Sequence, residues 1–334
     1  MTYNSASSDV KGKALDVQLY IAQCSVLAHN LLYVSEPKPG GASFHKSFTD
    51  TKTEHFLAGG SSLFGPIFEL SKRGILVAQN HLWYDDSEIG LFITKALDGA
   101  RRWYQPIGNT ILGTILMFSP LTVSVAHYFA NEGMKTNVKL DLDVVVALSE
   151  RFLKNSTTDD CIHLTHALTK NVSTDILPSD KDEDDFSSFI RIYKHQRTNL
   201  YDFTKFYEER DLVFYEMSHN YKTTIATGFK TLTKVYEEEH DLMKAISHTY
   251  LTLLAERKDT HIAKRFGNEI ASEIQQMAKN IVKAGGIFTV DGTKMIDELD
   301  YYLRNSRPKK INPGSIADIT TTTILLALLD GYRP

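Results

Sequence analysis

Apolar residues recur at helical spacing through most of the chain. In the segment 13–34, Leu15, Leu19 and Ala22 fall on one face of a helix. The same spacing predicts helices over residues 51–72, 85–103, 142–153, 158–168, 259–283, 291–303 and 315–329, with further helical periodicity over 200–254 and a very apolar helix that begins near 109 or 110. No run of alternating apolar and polar residues indicates a strand. The pattern therefore predicts an all-α, multi-helix bundle.

The helical pattern extends over nearly the whole chain, which predicts a single globular domain spanning residues 12–334. Residues 1–11 are small and polar, and we expect a loose segment there. The charge run Lys-Asp-Glu-Asp-Asp at 181–185 follows Pro178 and Ser179, and predicts a solvated acidic loop at about 178–187.

Composition narrows the classes of protein that fit. The 334 residues carry a formal net charge of −4 and no basic stripe, which disfavours a nucleic-acid partner. The two cysteines, Cys24 and Cys161, lie far apart and form no C-x-x-C pair, so they predict buried apolar positions rather than a disulfide framework or a zinc site.

The chain start is polar and lacks the basic and apolar regions of a signal peptide. The longest apolar stretches, around Ile111–Leu121 and Ile324–Leu329, are shorter than a membrane-spanning helix requires. These features predict a cytoplasmic protein without a membrane partner.

Four segments combine glycine, proline and polar residues at predicted helix starts, where backbone amides and the positive end of the helix dipole can bind phosphate. The first is Pro-Lys-Pro-Gly at 37–40. Lys38 there is a candidate point charge for a phosphate, and Gly40 permits close backbone approach. The alternative is a rigid turn that ends a helix and exposes its lysine.

The second segment is Gly-Asn-Thr-Ile-Leu-Gly at 108–113. Asn109 and Thr110 either cap the apolar helix or face a ligand, and Gly113 leaves room beside that helix. Both interpretations fit the sequence.

The third and fourth segments each place an aspartate at the start of a helix. In Asp-Thr-His-Ile-Ala-Lys-Arg-Phe-Gly at 259–267, Asp259 and Arg265 could serve magnesium and triphosphate, or only a helix cap and a surface contact. In Asn-Pro-Gly-Ser-Ile-Ala-Asp at 312–318, Asp318 lies in the first turn of an apolar, threonine-rich helix, where the dipole favours a carboxylate.

Together and in this order, the four segments resemble the triphosphoribosyl-dephospho-CoA synthase family. That family carries P-K-P-G, then N-T-x-x-G, then D-T-x-x-x-x-R-x-G, and finally S-P-G-x-x-A-D. Two family features differ here. Of the family motif His-x-Asp-Met, this chain has only the aspartate, Asp50. Where the family has a His-Lys pair after the N-T dipeptide, this chain has Ile111 and Leu112 after Thr110. The chain thus resembles a divergent, archaeal-type member of a helical family.

The resemblance implies an ATP- and Mg²⁺-dependent transferase that moves the ribose triphosphate of ATP to the 2′-hydroxyl of 3′-dephospho-CoA and releases adenine. It implies catalytic roles for Asp50, Asp259 and Asp318, with Asp259 and Asp318 also as magnesium ligands. The residues it assigns to phosphate and nucleotide binding are Lys38, Gly40, Asn109, Thr110, Arg265, Asn312 and Gly314. The implied partners are small nucleotides, and a homodimer is compatible with the sequence.

Two other functions fit the same residues. One is a nucleotide-dependent transferase that uses the phosphate site with a different acceptor. The other is a non-catalytic helical nucleotide-binding or scaffold protein, which would tolerate alanine at Asp259 and Asp318 without losing a ligand.

Overall fold

The computed structural model describes residues 3–47, 52–103, 110–171 and 183–334. In those residues it contains fifteen α-helices and neither a strand nor a sheet, which confirms the predicted all-α class.

The helices are α1 Tyr3–Val34, α2 Thr53–Ala78, α3 Ile89–Arg101, α4 Leu112–Asn131, α5 Leu142–Lys154, α6 Thr158–Asn171, α7 Glu183–Gln196, α8 Leu200–Tyr207, α9 Leu212–Ser218, α10 Lys230–Glu239, α11 Leu242–Glu256, α12 Thr260–Phe266, α13 Asn268–Lys283, α14 Val290–Asn305 and α15 Gly314–Leu329. Two short 3₁₀ segments, Tyr84–Ser87 and Gly286–Phe288, and one π-helical segment, Thr224–Phe229, connect them.

Two segments expected to be irregular are helical. Helix α1 begins at Tyr3, so residues 3–11, where a loose segment is predicted, extend a helix whose later residues are packed in the core; adding a turn to an existing helix needs no new nucleus. Helix α7 begins at Glu183, so residues 183–187 of the expected acidic loop are helical, while 178–182 lie outside the described residues.

Two predicted helices are interrupted by residues with positive φ. The segment 85–103 divides at Glu88, whose φ of 54° separates a 3₁₀ turn from α3. The segment 259–283 divides at Gly267, whose φ of 95° ends α12 and lets α13 begin in a new direction. Periodicity alone does not detect such breaks, because the apolar spacing resumes at once on the other side.

The core is organised around two helices that are apolar on nearly all sides, α4 and α15. Helix α2 packs against α1 and α4, and α15 packs against α1, α4, α11 and α12. Buried apolar side chains form one continuous cluster that includes Cys24 and Cys161, so both cysteines occupy the predicted buried positions.

Helix α4 is the one helix in the described part of the chain that is long and apolar enough to cross a membrane. Most of it is buried inside the protein, as is usual for the core helix of a globular domain.

Candidate functional site

Helix α15 is buried except at one end of one face. Thirteen of its sixteen residues are buried, and the three that retain exposure are Gly314, Ala317 and Asp318. Positions three and four residues apart lie on the same face of a helix, so these three residues form one partly exposed strip, called here the opening of α15. A partly exposed aspartate on an otherwise buried helix makes this strip the candidate place for a ligand to meet an acid group.

The Pro-Lys-Pro-Gly turn packs against the residues that lead into α15. Gly40 has a φ of 68°, and a β-carbon there would lie 2.8 Å from the Ile311 carbonyl oxygen and 3.0 Å from Cδ of Pro313. Only glycine fits this approach and this backbone conformation. The first segment therefore contacts the fourth, although more than 270 residues separate them.

Asp259 joins α12 to α15. Its Oδ1 accepts a hydrogen bond from the Ile262 amide at 2.8 Å, and its Oδ2 accepts one from the Ile316 amide at 2.9 Å. Next to it, the Thr260 and Ser315 hydroxyls are 2.9 Å apart. Asp259 thus satisfies amides in the first turns of two helices at once, and fixes the third segment to the fourth.

The start of α4 lies against Asp318. The Thr114 hydroxyl donates to Oδ1 of Asp318 at 3.0 Å. A β-carbon on Gly113 would lie 2.0 Å from Oδ2 of Asp318, so the carboxylate occupies the space that this glycine leaves open. The second segment therefore meets the fourth, and all four segments converge on the N-terminal end of α15.

The electrostatic environment of Asp318 suits proton transfer near neutral pH. Burial raises the pKa of Asp318 to about 7, opposed by the hydrogen bond from Thr114 and reinforced by the negative charges of Asp211 and Asp259. Burial also raises the pKa of Asp259 to about 7, and the hydrogen bonds that backbone amides donate to its carboxylate oppose this effect. Lys264 partly neutralises the charge of Asp211, because its ammonium donates to Oδ2 of Asp211 at 2.5 Å.

Asp259 and Asp318 differ in accessibility. Asp259 is 1% exposed, and each of its oxygens already accepts a backbone amide. Asp318 retains exposure and faces the opening of α15. The two carboxylates are near enough for the charge of Asp259 to raise the pKa of Asp318, as a single site requires.

Lys38 is buried rather than presented to a ligand. It is 6% exposed, and its ammonium donates a short hydrogen bond to the Leu32 carbonyl. Burial lowers its pKa to about 7, opposed by Glu36 and reinforced by Arg304. Its stem packs over Gly41, where a β-carbon would lie 2.6 Å from Cε of Lys38.

The remaining predicted binding residues line the exposed edge of the convergence. Arg265 is exposed, and its Nη1 lies 3.3 Å from Nε2 of His261, whose ring packs against Gly314. Asn312 is half-buried, directly before α15. The Thr110 hydroxyl reaches the His55 carbonyl at 3.4 Å, which ties the start of α4 to the first turn of α2. Asp50 and Asn109 lie outside the described residues.

The side chains near the start of α15 limit how a magnesium ion could be held. Within the described ranges, no group of three or more histidine, cysteine, aspartate or glutamate side chains could hold a metal ion. Mg²⁺ needs no such cage, since it retains water and binds substrate phosphates together with one or two carboxylates. Asp318 is the better candidate because it keeps partial exposure, whereas both oxygens of Asp259 accept hydrogen bonds from backbone amides.

Sequence reasoning did not assign four residues that build this site: Thr114, Asp211, His261 and Ser315. Three of them stand within or beside the recognised segments, so a search of those segments for helix-capping hydroxyls could have found Thr114 and Ser315. Asp211 has no such local signal, because only the fold brings the start of α9 beside α12.

Comparison with known families and structures agrees with this architecture. Residues 18–334 match the family model described as CitG, ATP:dephospho-CoA triphosphoribosyl transferase. A crystal structure from Archaeoglobus fulgidus, described as a candidate triphosphoribosyl-dephospho-CoA synthase, shares the fold with a TM-score of 0.58 and 22% identity, covering 84% of this chain and 100% of the other. Comparison with curated proteins gave no match.

Proposed function

The chain belongs to the ATP:dephospho-CoA triphosphoribosyl transferase family, and we propose that it transfers the ribose triphosphate of ATP to the 2′-hydroxyl of 3′-dephospho-CoA with release of adenine. The observation that supports the proposal is the start of α15, where Asp318 keeps partial exposure and the four family-like segments meet.

In this proposal Asp318 is the general base. The acceptor hydroxyl attacks C1′ of the ATP ribose and loses its proton to Asp318 as the new O–C1′ bond forms. The bond from C1′ to N9 of adenine breaks, and adenine leaves with that electron pair and takes up a proton. A base is most effective when its pKa lies near the working pH, as that of Asp318 does.

Negative charge around Asp318 supports the same step. Loss of adenine leaves positive charge on the ribose, and a carboxylate cluster placed beforehand stabilises that charge in a partly dry site. Asp211 and Asp259 contribute to this potential, and Lys264 partly offsets the charge of Asp211. We therefore assign Asp259 to positioning, because its amide contacts hold the first turn of α15 beside α12.

The triphosphate is assigned to the exposed edge of the convergence. Arg265 offers a guanidinium, Asn312 and Thr110 offer neutral donors, and the backbone at Gly314 begins a sixteen-residue helix whose dipole favours an anion. Asn109 retains the nucleotide-binding role that the resemblance implies. Lys38 and Gly40 are assigned to the wall of the site, since the ammonium of Lys38 points to the Leu32 carbonyl.

Magnesium would accompany the triphosphate, and Asp318 would interact with it through bound water, so that its carboxylate stays free to act as the base. When bound, the ion would neutralise phosphate charge and orient the triphosphate. Asp50 remains a second candidate carboxylate from the resemblance.

The direct test is adenine release. Purified protein is incubated with ATP, Mg²⁺ and 3′-dephospho-CoA, and free adenine is measured by chromatography, with the 2′-deoxy analogue of the acceptor as the matched control. We expect adenine with the hydroxyl-bearing acceptor and none with the deoxy analogue.

The other outcomes separate the alternatives. ATP-dependent thermal stabilisation without adenine release would indicate a different acceptor. A folded protein that neither releases adenine nor is stabilised by ATP would contradict the transferase proposal and favour a binding or scaffold role.

A further inference from the structure

A cavity lies beside the convergence and shares the Pro-Lys-Pro-Gly turn with it. It measures about 350 Å³ and lies between the Pro-Lys-Pro-Gly turn, the following loop and α14. Its walls include Glu36, Lys46, Thr293, Asp297 and Asp300. This volume lies at the lower end of the range for small-molecule sites, which is about 300–1,000 Å³.

The turn at 37–40 separates this cavity from the opening in α15. On one side, Pro37, Lys38 and Pro39 line the cavity. On the other side, Gly40 packs against Pro313, one residue before α15. Gly314 and Asp318 are then one helical turn apart, or about 6 Å along the axis. The cavity and the opening therefore border the same four-residue turn.

Hydrogen bonds hold one wall of the cavity in place. Oδ1 of Asp300 accepts from the Gly40 amide at 2.9 Å and from Nε of Arg304 at 2.7 Å, and its Oδ2 accepts from the Lys46 ammonium at 2.8 Å. Tyr250 also holds the turn, because its hydroxyl donates a hydrogen bond to the Pro39 carbonyl at 3.0 Å. A cavity held this way is formed before any ligand arrives.

The formal charges around the cavity balance. Three carboxylates, Glu36, Asp297 and Asp300, line it together with Lys38 and Lys46, and the Arg304 guanidinium bonded to Asp300 brings the cations to three. Glu36 and Asp300 are moreover held by neighbouring donors, which lower their pKa values against the effect of burial. A wall without net formal charge offers no excess of cations to a phosphate, whereas an uncharged chain of amides meets polar groups of both kinds there.

We propose that this cavity binds the uncharged, amide-bearing pantetheine arm of the acceptor, while its ribose hydroxyl reaches Asp318. The inference rests on the proposed function for the identity of the acceptor. It places ATP, the donor substrate, and the pantetheine arm of the acceptor substrate on opposite sides of the Pro-Lys-Pro-Gly turn. The cavity then sets the specificity for dephospho-CoA over nucleotides that lack the arm.

The test uses two neighbouring exposed positions on α14. Thr293→Trp fills the cavity from its rim, and Lys294→Trp places the same side chain one residue along, about 100° around the helix and off the cavity wall. Steady-state kinetics are measured for ATP, for 3′-dephospho-CoA and for ADP, which keeps the adenosine and diphosphate of the acceptor but lacks the arm. Pantetheine binding is measured separately by calorimetry, without turnover.

For Thr293→Trp we expect the KM for 3′-dephospho-CoA to rise about tenfold or more, a change of about 1.4 kcal/mol. The KM for ATP and the rate with ADP should match those of Lys294→Trp, and only Thr293→Trp should lose pantetheine binding.

An unchanged KM for 3′-dephospho-CoA in Thr293→Trp would overturn the inference while leaving the transferase proposal intact. If neither acceptor reacts, pantetheine binding decides alone: binding by the wild type that Thr293→Trp abolishes supports the cavity, and no binding by the wild type overturns it.

Discussion

Gly113 and Asp318 are matched in shape: Oδ2 of Asp318 lies 2.0 Å from the point where a β-carbon of residue 113 would stand. The missing side chain at the start of α4 therefore determines where the carboxylate of α15 can lie, and it brings the carboxylate within 3.0 Å of the Thr114 hydroxyl.

Gly113→Ala is expected to lower the rate of adenine release at least tenfold, because the new methyl group displaces the carboxylate. Stability should change little, since alanine favours a helix over glycine by about 1 kcal/mol and offsets part of the strain. Gly65→Ala, on α2 with open space around it, is the control and should only stabilise the fold. Full activity in Gly113→Ala would show that the position of Asp318 is unimportant.

Asp259→Asn is expected to destabilise the protein by about 1–3 kcal/mol in urea unfolding, because an amide can accept from one backbone N–H but not from both. Asp160→Asn is the matched control, since Asp160 likewise accepts from two backbone amides, those of Gly90 and Thr157. Both variants should lose stability, but only Asp259→Asn should also impair activity, since it releases the first turn of α15. Equal activity in the two would remove the positioning role of Asp259.

The helices themselves could be predicted from the sequence, whereas the site could be predicted only as parts. Apolar spacing correctly placed α5 and α15, because each buries a regular pattern of side chains. Spacing could not show that Asp259 caps α15 or that Gly40 packs on Pro313, since both contacts join distant parts of the chain. The burial of Lys38 was missed for a related reason, because nothing local distinguishes a buried lysine from an exposed one.

Asp318→Asn is expected to raise the unfolding temperature at pH 8 by about 2 °C and to give less gain at pH 5. The folded pKa of Asp318 is raised to about 7, so between pH 4 and pH 7 the folded state binds more protons than the unfolded state. Stability from this group is therefore present at low pH and lost as the pH rises through 7. Asparagine does not titrate, so it removes this loss of stability at high pH, and its amide oxygen can still accept the hydrogen bond from Thr114. A gain that grew toward pH 5 would contradict the raised pKa.

Lys38→Met is expected to gain stability relative to the wild type at pH 6 and to lose that advantage by pH 9. The folded pKa of Lys38 is lowered to about 7, so above pH 7 the unfolded state binds more protons and the wild type becomes more stable with rising pH. Methionine carries no buried charge. Urea unfolding at the two pH values checks this, with Lys294→Met, which removes an exposed lysine, as the control for the loss of one positive charge.

The most direct measurement of the central claim is the pH dependence of kcat/KM for adenine release in the wild type and in Asp318→Asn. We predict that the wild-type rate rises with pH up to about 7, where Asp318 loses its proton, and then levels. We expect the variant to be slower by about 10²–10⁴-fold at pH 8 and to lack this rise. A variant within about threefold of the wild type at pH 8, with the same pH profile, would contradict the assignment of Asp318 as the base.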